Sequence, residues 1–486
     1  MAQWTKLKND NKISYNEIFY FEEEINNIPL NINPSYQCFS IFFDEPFLGK
    51  ILTNSNDYLN HKKEKINNGN NTKFNKISNT NNNKLRVDKI TKLSYENIEK
   101  YIACLILMGI VGLPSYHDYW DKDELLLNAV KYIMKKNTFE NINQFIHPEP
   151  ADSKNENKIL SSIKNIMQKA KLYFSPGTIV IIDERMVSYR GRSNDIVYEA
   201  SKPVKWGFRP YVLADLNTGY TFEIKLLEQL EEKEKNGKMS TLVTEFMNSL
   251  NEGNNKKYIL CTDGLYTSEE LLDNNNFYFI GAIRSNRIKS NKIEILEKIK
   301  KKSCEYFYRV NGNKYYTLTK YNDSKSMYVI SNFVDVPEEV KRTRWSKEEK
   351  KFIFEKFPNT IKTYTQYMKG VDKSNQLISY YEINRKTYKW WKRIFYHLID
   401  VSIVNSFIIF KKINNTSIIQ KNYRLEIVRE IIKKYNITIG DIKLNQNEIH
   451  YLVKHNKKLT CIECSFRKNY ITKKAPTTLY HLIYAT

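Results

Sequence analysis

Two short apolar runs in this chain each end on an aspartate: Thr178-Ile-Val-Ile-Ile182 on Asp183, and Tyr258-Ile-Leu-Cys-Thr262 on Asp263. Runs of this length and β-branched content, with no helical period, are buried strands. A carboxylate at the end of such a strand is held rigidly with its head toward solvent. Between the two runs lie two more strand-like segments, Arg209–Asp215 and Tyr220–Leu227, joined by the turn Asn217-Thr-Gly219. Lys238–Leu250 then reads as a helix, with Leu242, Val243, Phe246, Met247 and Leu250 on one face. After the Asp263 run come a helical turn at Ser268–Asp273 and a strand at Tyr278–Ile283. This order predicts an α/β core: an antiparallel meander, then parallel strands returned by right-handed crossovers. The Asp263 strand would lie parallel to the Asp183 strand, with both carboxylates at one sheet edge.

A third aspartate, Asp372, sits in Gly370-Val-Asp-Lys-Ser-Asn375 at the start of a helical stretch. Any one aspartate at a strand end is more often a cap or turn former than a ligand. Three rigid carboxylates brought together could hold two divalent cations about 3.5–4 Å apart, which stabilise the attacking and leaving oxygens of a phosphodiester displacement. Mg²⁺ suits such a site, because it takes one or two carboxylates plus substrate phosphate. Mn²⁺ is a possible substitute.

The rest of the chain is basic. It carries 77 Lys+Arg against 54 Asp+Glu, a formal charge of +23 over 486 residues. Such a field favours a polyanionic partner, most plausibly nucleic acid, although a coding bias toward Lys, Asn, Ile and Tyr also raises the charge. Arg190, Arg192, Lys202, Lys205 and Arg209 flank the first aspartate's strand, and Lys373 adjoins the third aspartate. Charge-assisted bonds to phosphate are their natural role. Trp206 could stack on an extruded base or pack in a core. Trp390 and Trp391 read as helix-packing residues, one inward and one at the rim. Lys341–Arg344 and Lys347–Lys351 are either a DNA-facing stretch or a solvated charge run.

The expected organisation is as follows. Residues 1–35 form a flexible N-terminus. Residues 36–175 are a helical region for dimerisation and DNA binding, interrupted by a disordered Asn-rich insertion at 61–90. Residues 176–289 form the first part of the core, 290–358 an insertion and 359–381 the second part of the core. Residues 382–445 are helical, and 446–486 form a basic tail. Cys38, Cys104 and Cys261 sit in apolar runs and read as small buried hydrophobes in a reducing compartment. The N-terminus has no signal-peptide pattern, and Ile102–Leu113 is too short to span a bilayer, so a soluble intracellular protein with no membrane partner is expected.

Three blocks carry a family likeness. Ile182-Asp-Glu-Arg-Met-Val-Ser-Tyr-Arg-Gly-Arg192, Lys202-Pro-Val-Lys-Trp-Gly-Phe-Arg209 and Asp215-Leu-Asn-Thr-Gly-Tyr220 resemble the first catalytic block of the piggyBac transposase family. Thr262-Asp-Gly-Leu-Tyr-Thr-Ser268 and Gly281-Ala-Ile-Arg-Ser-Asn286 resemble the second. Tyr367-Met-Lys-Gly-Val-Asp-Lys-Ser-Asn-Gln376, Asn384-Arg-Lys and Lys389-Trp-Trp-Lys392 resemble the third, and Met108-Gly-Ile-Val-Gly-Leu-Pro114 with Asp118-Tyr-Trp120 is similar to the helical region upstream. The likeness runs from about Phe39 to Lys412.

The resemblance implies a ribonuclease H-like core with a mixed five-stranded sheet, flanking helical domains and an insertion. It implies cut-and-paste transposition at TTAA sites, DNA transposon ends and target DNA as partners, a homodimer, and a nuclear location. By the match, Asp183, Asp263 and Asp372 are the catalytic metal ligands. The alternative is a domesticated DNA-binding protein that kept the fold and lost the chemistry. Three departures bear on that choice. Asn375 stands where the family usually has a second acid after the third aspartate, so reduced metal affinity is expected, and Asn375→Asp is expected to raise activity. Gly264 replaces an Asn after Asp263. The tail has only Cys461 and Cys464, with His455 and His481, where the family has several cysteine pairs. Half a tetrahedral set makes zinc an unlikely cofactor on ligand count.

Overall fold

The computed structural model describes residues 3–439 apart from 9–10, 17, 19, 30–33, 68–89, 122, 124–125, 127, 155–156, 230–238, 252–255, 274–276 and 291, together with strands at 451–454 and 480–483. Contacts divide the chain into one unit at Met1–Tyr435 and a second at Asn436–Thr486. Of the second unit, a two-stranded antiparallel pair, Tyr451–Lys454 with Tyr480–Ile483, is described. His455, Cys461 and Cys464 lie outside the described residues.

A sheet built around the two aspartate runs organises the first unit. The Asp183 strand spans Ile179–Glu184 and the Asp263 strand precedes its aspartate at Ile259–Thr262. They pair in parallel with Thr262 opposite Ile182, so the next residue of each is its carboxylate. Tyr278–Ala282 extends the parallel set on one side. On the other side Tyr211–Asp215 and then Thr221–Lys225 add in antiparallel fashion. These five strands are the expected core, with the Ser240–Asn251 helix as the connection into the Asp263 strand. Val180, Ile181 and Ile182 are fully buried, each contributing about 1.5–3 kcal/mol by leaving water.

The sheet does not stop at five strands. Ser326–Ser331, Lys314–Asn322, Cys304–Asn311 and Thr5–Lys6 continue it, all antiparallel, to nine. Much of 290–358 is therefore hydrogen-bonded to the core sheet, where it covers the edge that Tyr278–Ala282 would otherwise expose. Only Glu339–Ser346 and Lys351–Pro358 form a separate ribbon. The N-terminus differs from the flexible segment expected. Thr5–Lys6 pairs with Phe307 and Tyr308, Trp4 is buried, and its Nε1 donates to Glu269 Oε1 at 3.1 Å. A single tryptophan in a polar stretch has no period to betray it.

Helices pack beside the sheet. Glu45–Asn67 continues seven residues into the segment expected to be disordered, and 68–89 lie outside the described residues. Tyr95–Val111 begins with a capping box, Ser94 with Asn97, and ends at Gly112 with φ +72°, a left-handed stop that glycine supplies without strain. Trp390–Asn414 is long and apolar enough to cross a membrane, but 94% of its most apolar window is buried inside the protein. Trp390 and Trp391 are both buried, at 6% and 3% exposed, so neither sits at a rim. Asp400 of this helix pairs with Arg424 at 3.0 Å, both fully buried.

Candidate metal centre

The parallel register delivers Asp183 and Asp263 side by side. Glu184 joins them: carboxylate oxygens of Asp183, Glu184 and Asp263 lie within 4.8 Å of one another. Backbone amides fix the two aspartates, since the Glu184 N–H donates to Asp183 Oδ1 at 2.8 Å and the Leu265 N–H to Asp263 Oδ1 at 2.7 Å. The cluster holds more negative charge than its surroundings balance. Burial, then Asp183 and Asp263, push the Glu184 carboxyl up to about 8. Burial also raises Asp263, with Asp183 adding to it and Arg284 opposing it. Beside the acids, the buried Tyr266 hydroxyl has no hydrogen-bond partner among the described residues. Half-buried acids crowded to one point, with an orphaned hydroxyl alongside, fit a hard cation bound by oxygen ligands.

Asp372 lies apart from this triad. It is exposed in the first turn of the Gly370–Ser379 helix, which packs on the Asp183 strand and on Tyr211–Asp215. The turn at Asn217–Gly219 grips that helix. The Lys373 ammonium donates to the Asn217 carbonyl. Gly219 has φ +75°, and a Cβ there would lie 2.9 Å from the Ser374 nitrogen. Lys373, expected to meet phosphate, thus has one donor committed within the protein.

Arg185 holds the same helix from the sheet side. It is 3% exposed; its Nε donates to Asn375 Oδ1 at 2.5 Å and its Nη2 to Ser374 Oγ at 2.6 Å. Its Nη1 lies 3.4 Å from Nε2 of His397. Burial, then Arg185 and Arg393, keep His397 far below its usual range, hence neutral. The Asn375 carbonyl is therefore engaged by a guanidinium, which has donors only.

Of the expected phosphate-binding residues, Arg190, Arg192 and Lys205 are exposed and Lys202 is half-buried. They surround a small sheet of Val187–Ser188, Val197–Tyr198 and Trp206–Phe208. Trp206 is 47% exposed, with its ring 4.7 Å from that of Tyr198, so it is a surface residue. Arg209 is half-buried and contributes an opposing charge to Glu184. On the separate ribbon, Arg342 pairs with Glu355 and Arg344 with Asp323, while Lys341 is exposed. Sequence reasoning missed Glu184, Arg185 and Arg284. The signal for Glu184 was adjacency to Asp183; the partnership of Arg185 with Asn375 spans 190 residues and has no local sign.

A family model described as Transposase IS4 matches residues 34–407. The human PiggyBac transposable element-derived protein 3 is 24% identical over 417 residues, covering 80% of this chain and 69% of that protein. The human PiggyBac transposable element-derived protein 2 is 19% identical over 380 residues, covering 76% of this chain and 60% of that protein. Among solved structures, a piggyBac transposase synaptic complex with hairpin DNA, determined by cryo-electron microscopy, matches with a TM-score of 0.65 at 17% identity, over 85% of this chain and 84% of that one. That likeness is one of fold, and with the strand order above it makes the α/β core ribonuclease H-like. With most of its length matched, the chain belongs to the Transposase IS4 family, and within it to the piggyBac type.

Proposed function

We propose that this protein is a metal-dependent DNA transposase that cleaves and rejoins phosphodiester bonds at the end of the Asp183 and Asp263 strands. The observation that carries this reading is the convergence of the Asp183, Glu184 and Asp263 oxygens within 4.8 Å at one sheet edge. These three would hold divalent cations, with Asp372 contributing from the neighbouring helix; Mg²⁺ is the proposed ion. Such ions activate the attacking oxygen and stabilise the leaving one. The chain's own share is positional. Strand ends fix Asp183 and Asp263, the Arg185 bonds to Ser374 and Asn375 seat the Asp372 helix, and exposed Arg190, Arg192 and Lys205 meet the DNA backbone. Cut-and-paste transposition at TTAA sites, action as a homodimer on transposon ends and target DNA, and a nuclear location complete the proposal.

The second reading, a domesticated DNA-binding protein without chemistry, rests on Asn375 and on the reduced cysteine tail with only Cys461 and Cys464. The hydrogen bond from Arg185 gives that amide a structural use, which weakens it as a sign of decay. The deciding experiment is Mg²⁺- or Mn²⁺-dependent cleavage of the matching transposon end. Nicking by the wild type, lost in Asp183→Ala, supports the enzyme. An inert wild type that still binds the DNA supports the domesticated form.

A further inference from the structure

Four lysines converge at the start of the Trp390–Asn414 helix. Lys62 Nζ lies 5.5 Å from the Tyr58 ring centre, and Lys389 Nζ lies 5.0 Å from the same centre and 5.4 Å from that of Trp391. Lys392 Nζ is 5.7 Å from the Trp391 ring. His147 sits between, its ring 3.8 Å from Tyr58 and 4.9 Å from Trp391. Lys158 completes the set, adding its charge to the field at His147 and Lys389. Among the described residues, none of these four lysines forms an ion pair with a carboxylate.

The site is preorganised. Lys392 is 3% exposed and its ammonium donates to the Asn143 carbonyl; the Lys389 ammonium donates to the Gln144 carbonyl at 3.1 Å. Aromatic faces hold the ammonium groups in place. The 25-residue helix has Lys389 as its N-cap, no side-chain cap and no acid in its first turn, so its positive end adds to the same field. Burial first, then Lys62 and Lys158, lower Lys389 to about 8, and burial with Lys389 lowers His147 to about 3, so the imidazole adds no charge. Burial, then Lys389, also lower Lys392 well below its usual range, and an anion bound here would favour the charged form of both lysines. The neighbouring surface is the one already read as DNA-facing: the Tyr189 hydroxyl donates to the carbonyl of fully exposed Tyr388 at 3.0 Å, and Arg190 follows.

We propose that Lys62 and Lys389, at the start of the Trp390 helix, form a docking site for DNA backbone phosphate, with Lys392 held beneath it by its bond to the Asn143 carbonyl. The inference rests on the DNA-binding reading above and extends the phosphate contacts beyond the strand block. An ion-release argument makes it measurable, since each phosphate neutralised adds about 0.9 to the slope of log affinity against log salt.

The test uses the full chain and a fluorescein-labelled duplex of about 30 base pairs, by anisotropy across a salt series. Variants are Lys62→Gln, Lys389→Gln and their double, with exposed Lys298→Gln as the control for net charge. The expected result is a slope lower by about 1 in each single variant and about 2 in the double, with the DNA-free thermal midpoint unchanged or raised because repulsion is relieved. Slopes equal to that of Lys298→Gln, with a steep wild type, overturn this site alone. A wild type with no salt-dependent binding overturns the DNA reading as well.

Discussion

The acidic triad and the lysine cluster are opposites built by different means. At the sheet edge, Asp183, Glu184 and Asp263 crowd negative charge onto rigid strand ends. At the start of the Trp390 helix, three lysines, Lys62, Lys389 and Lys392, crowd their amino groups against rings. Among the described residues, neither cluster contains an ion pair with a group of opposite charge. Asp400 and Arg424 show what this fold does with charge it means to keep: a matched pair, both fully buried, 3.0 Å apart. Uncompensated charge at the two clusters therefore marks places where something of opposite sign is to bind, a cation in one and phosphate in the other.

The largest effect should come from breaking the acidic side. Asp183→Ala or Asp263→Ala should cut DNA cleavage by about three orders of magnitude or more, and the double variant should fall little further, because ligands of one site act as a unit. Duplex binding, measured in parallel, should persist, since its contacts lie elsewhere. Full loss of binding in these variants would erase the distinction between the two regions.

Next in size is the matched pair. Asp400→Ala leaves buried Arg424 without its carboxylate, keeping only its bond to the Tyr381 carbonyl, which costs about 3–5 kcal/mol in urea unfolding. A cost near zero would mean that burial of unpaired charge is tolerated here, and would weaken the inference from both clusters.

A smaller effect concerns pH. Glu184 is raised to about 8 in the folded chain, against an ordinary 4.5. The folded protein thus holds a proton that the unfolded chain has released. Stability from this group is present at low pH and lost as pH rises from 4.5 through about 8. A bound cation needs the ionised form, so the rise in melting temperature on adding Mn²⁺ should be greater at pH 8.5 than at pH 6, which lie on either side of the folded-state value of about 8. An equal rise at both would remove Glu184 from the site.

The smallest effect separates sequence from structure. Asn375→Asp was expected to restore a ligand. With Arg185 Nε 2.5 Å from the Asn375 oxygen, the new carboxylate should instead pair with the guanidinium, and Mn²⁺ affinity should change by less than about threefold, as charge pairing satisfies the acid locally. Tighter Mn²⁺ binding by tenfold or more, about 1.4 kcal/mol, would show that the acid turns to the metal.

The sheet around the site was legible because its strands are short, apolar and uninterrupted, and because a helix between two strands dictates a parallel return. The Asp183 and Asp263 juxtaposition followed from that order alone. Tyr315–Thr319 and Ser326–Ile330 read as strand-like, but their pairing with the core sheet, the Cys304–Asn311 strand and the docking of Trp4 were not legible, since Cys304–Asn311 carries Glu305 and Arg309 and has no clean two-residue alternation. The burial of both Trp390 and Trp391 was missed because Phe208 of the small sheet covers Trp390 while His147 covers Trp391, which a single helical period does not reveal. The lysine cluster draws on residues 62, 158, 389 and 392, far apart in sequence. Only the fold brings such groups together.

The central claim, that the acidic triad is a divalent-cation site, is tested most directly by titrating the full chain with Mn²⁺ and following free ion by electron paramagnetic resonance, without DNA. The account predicts saturable binding by the wild type, weakened at least about tenfold in Asp183→Asn and in Glu184→Gln, as loss of an anionic ligand from a hard-ion site requires. Wild-type protein that binds no Mn²⁺ above the level of the Asp183→Asn, Asp263→Asn double variant would contradict it.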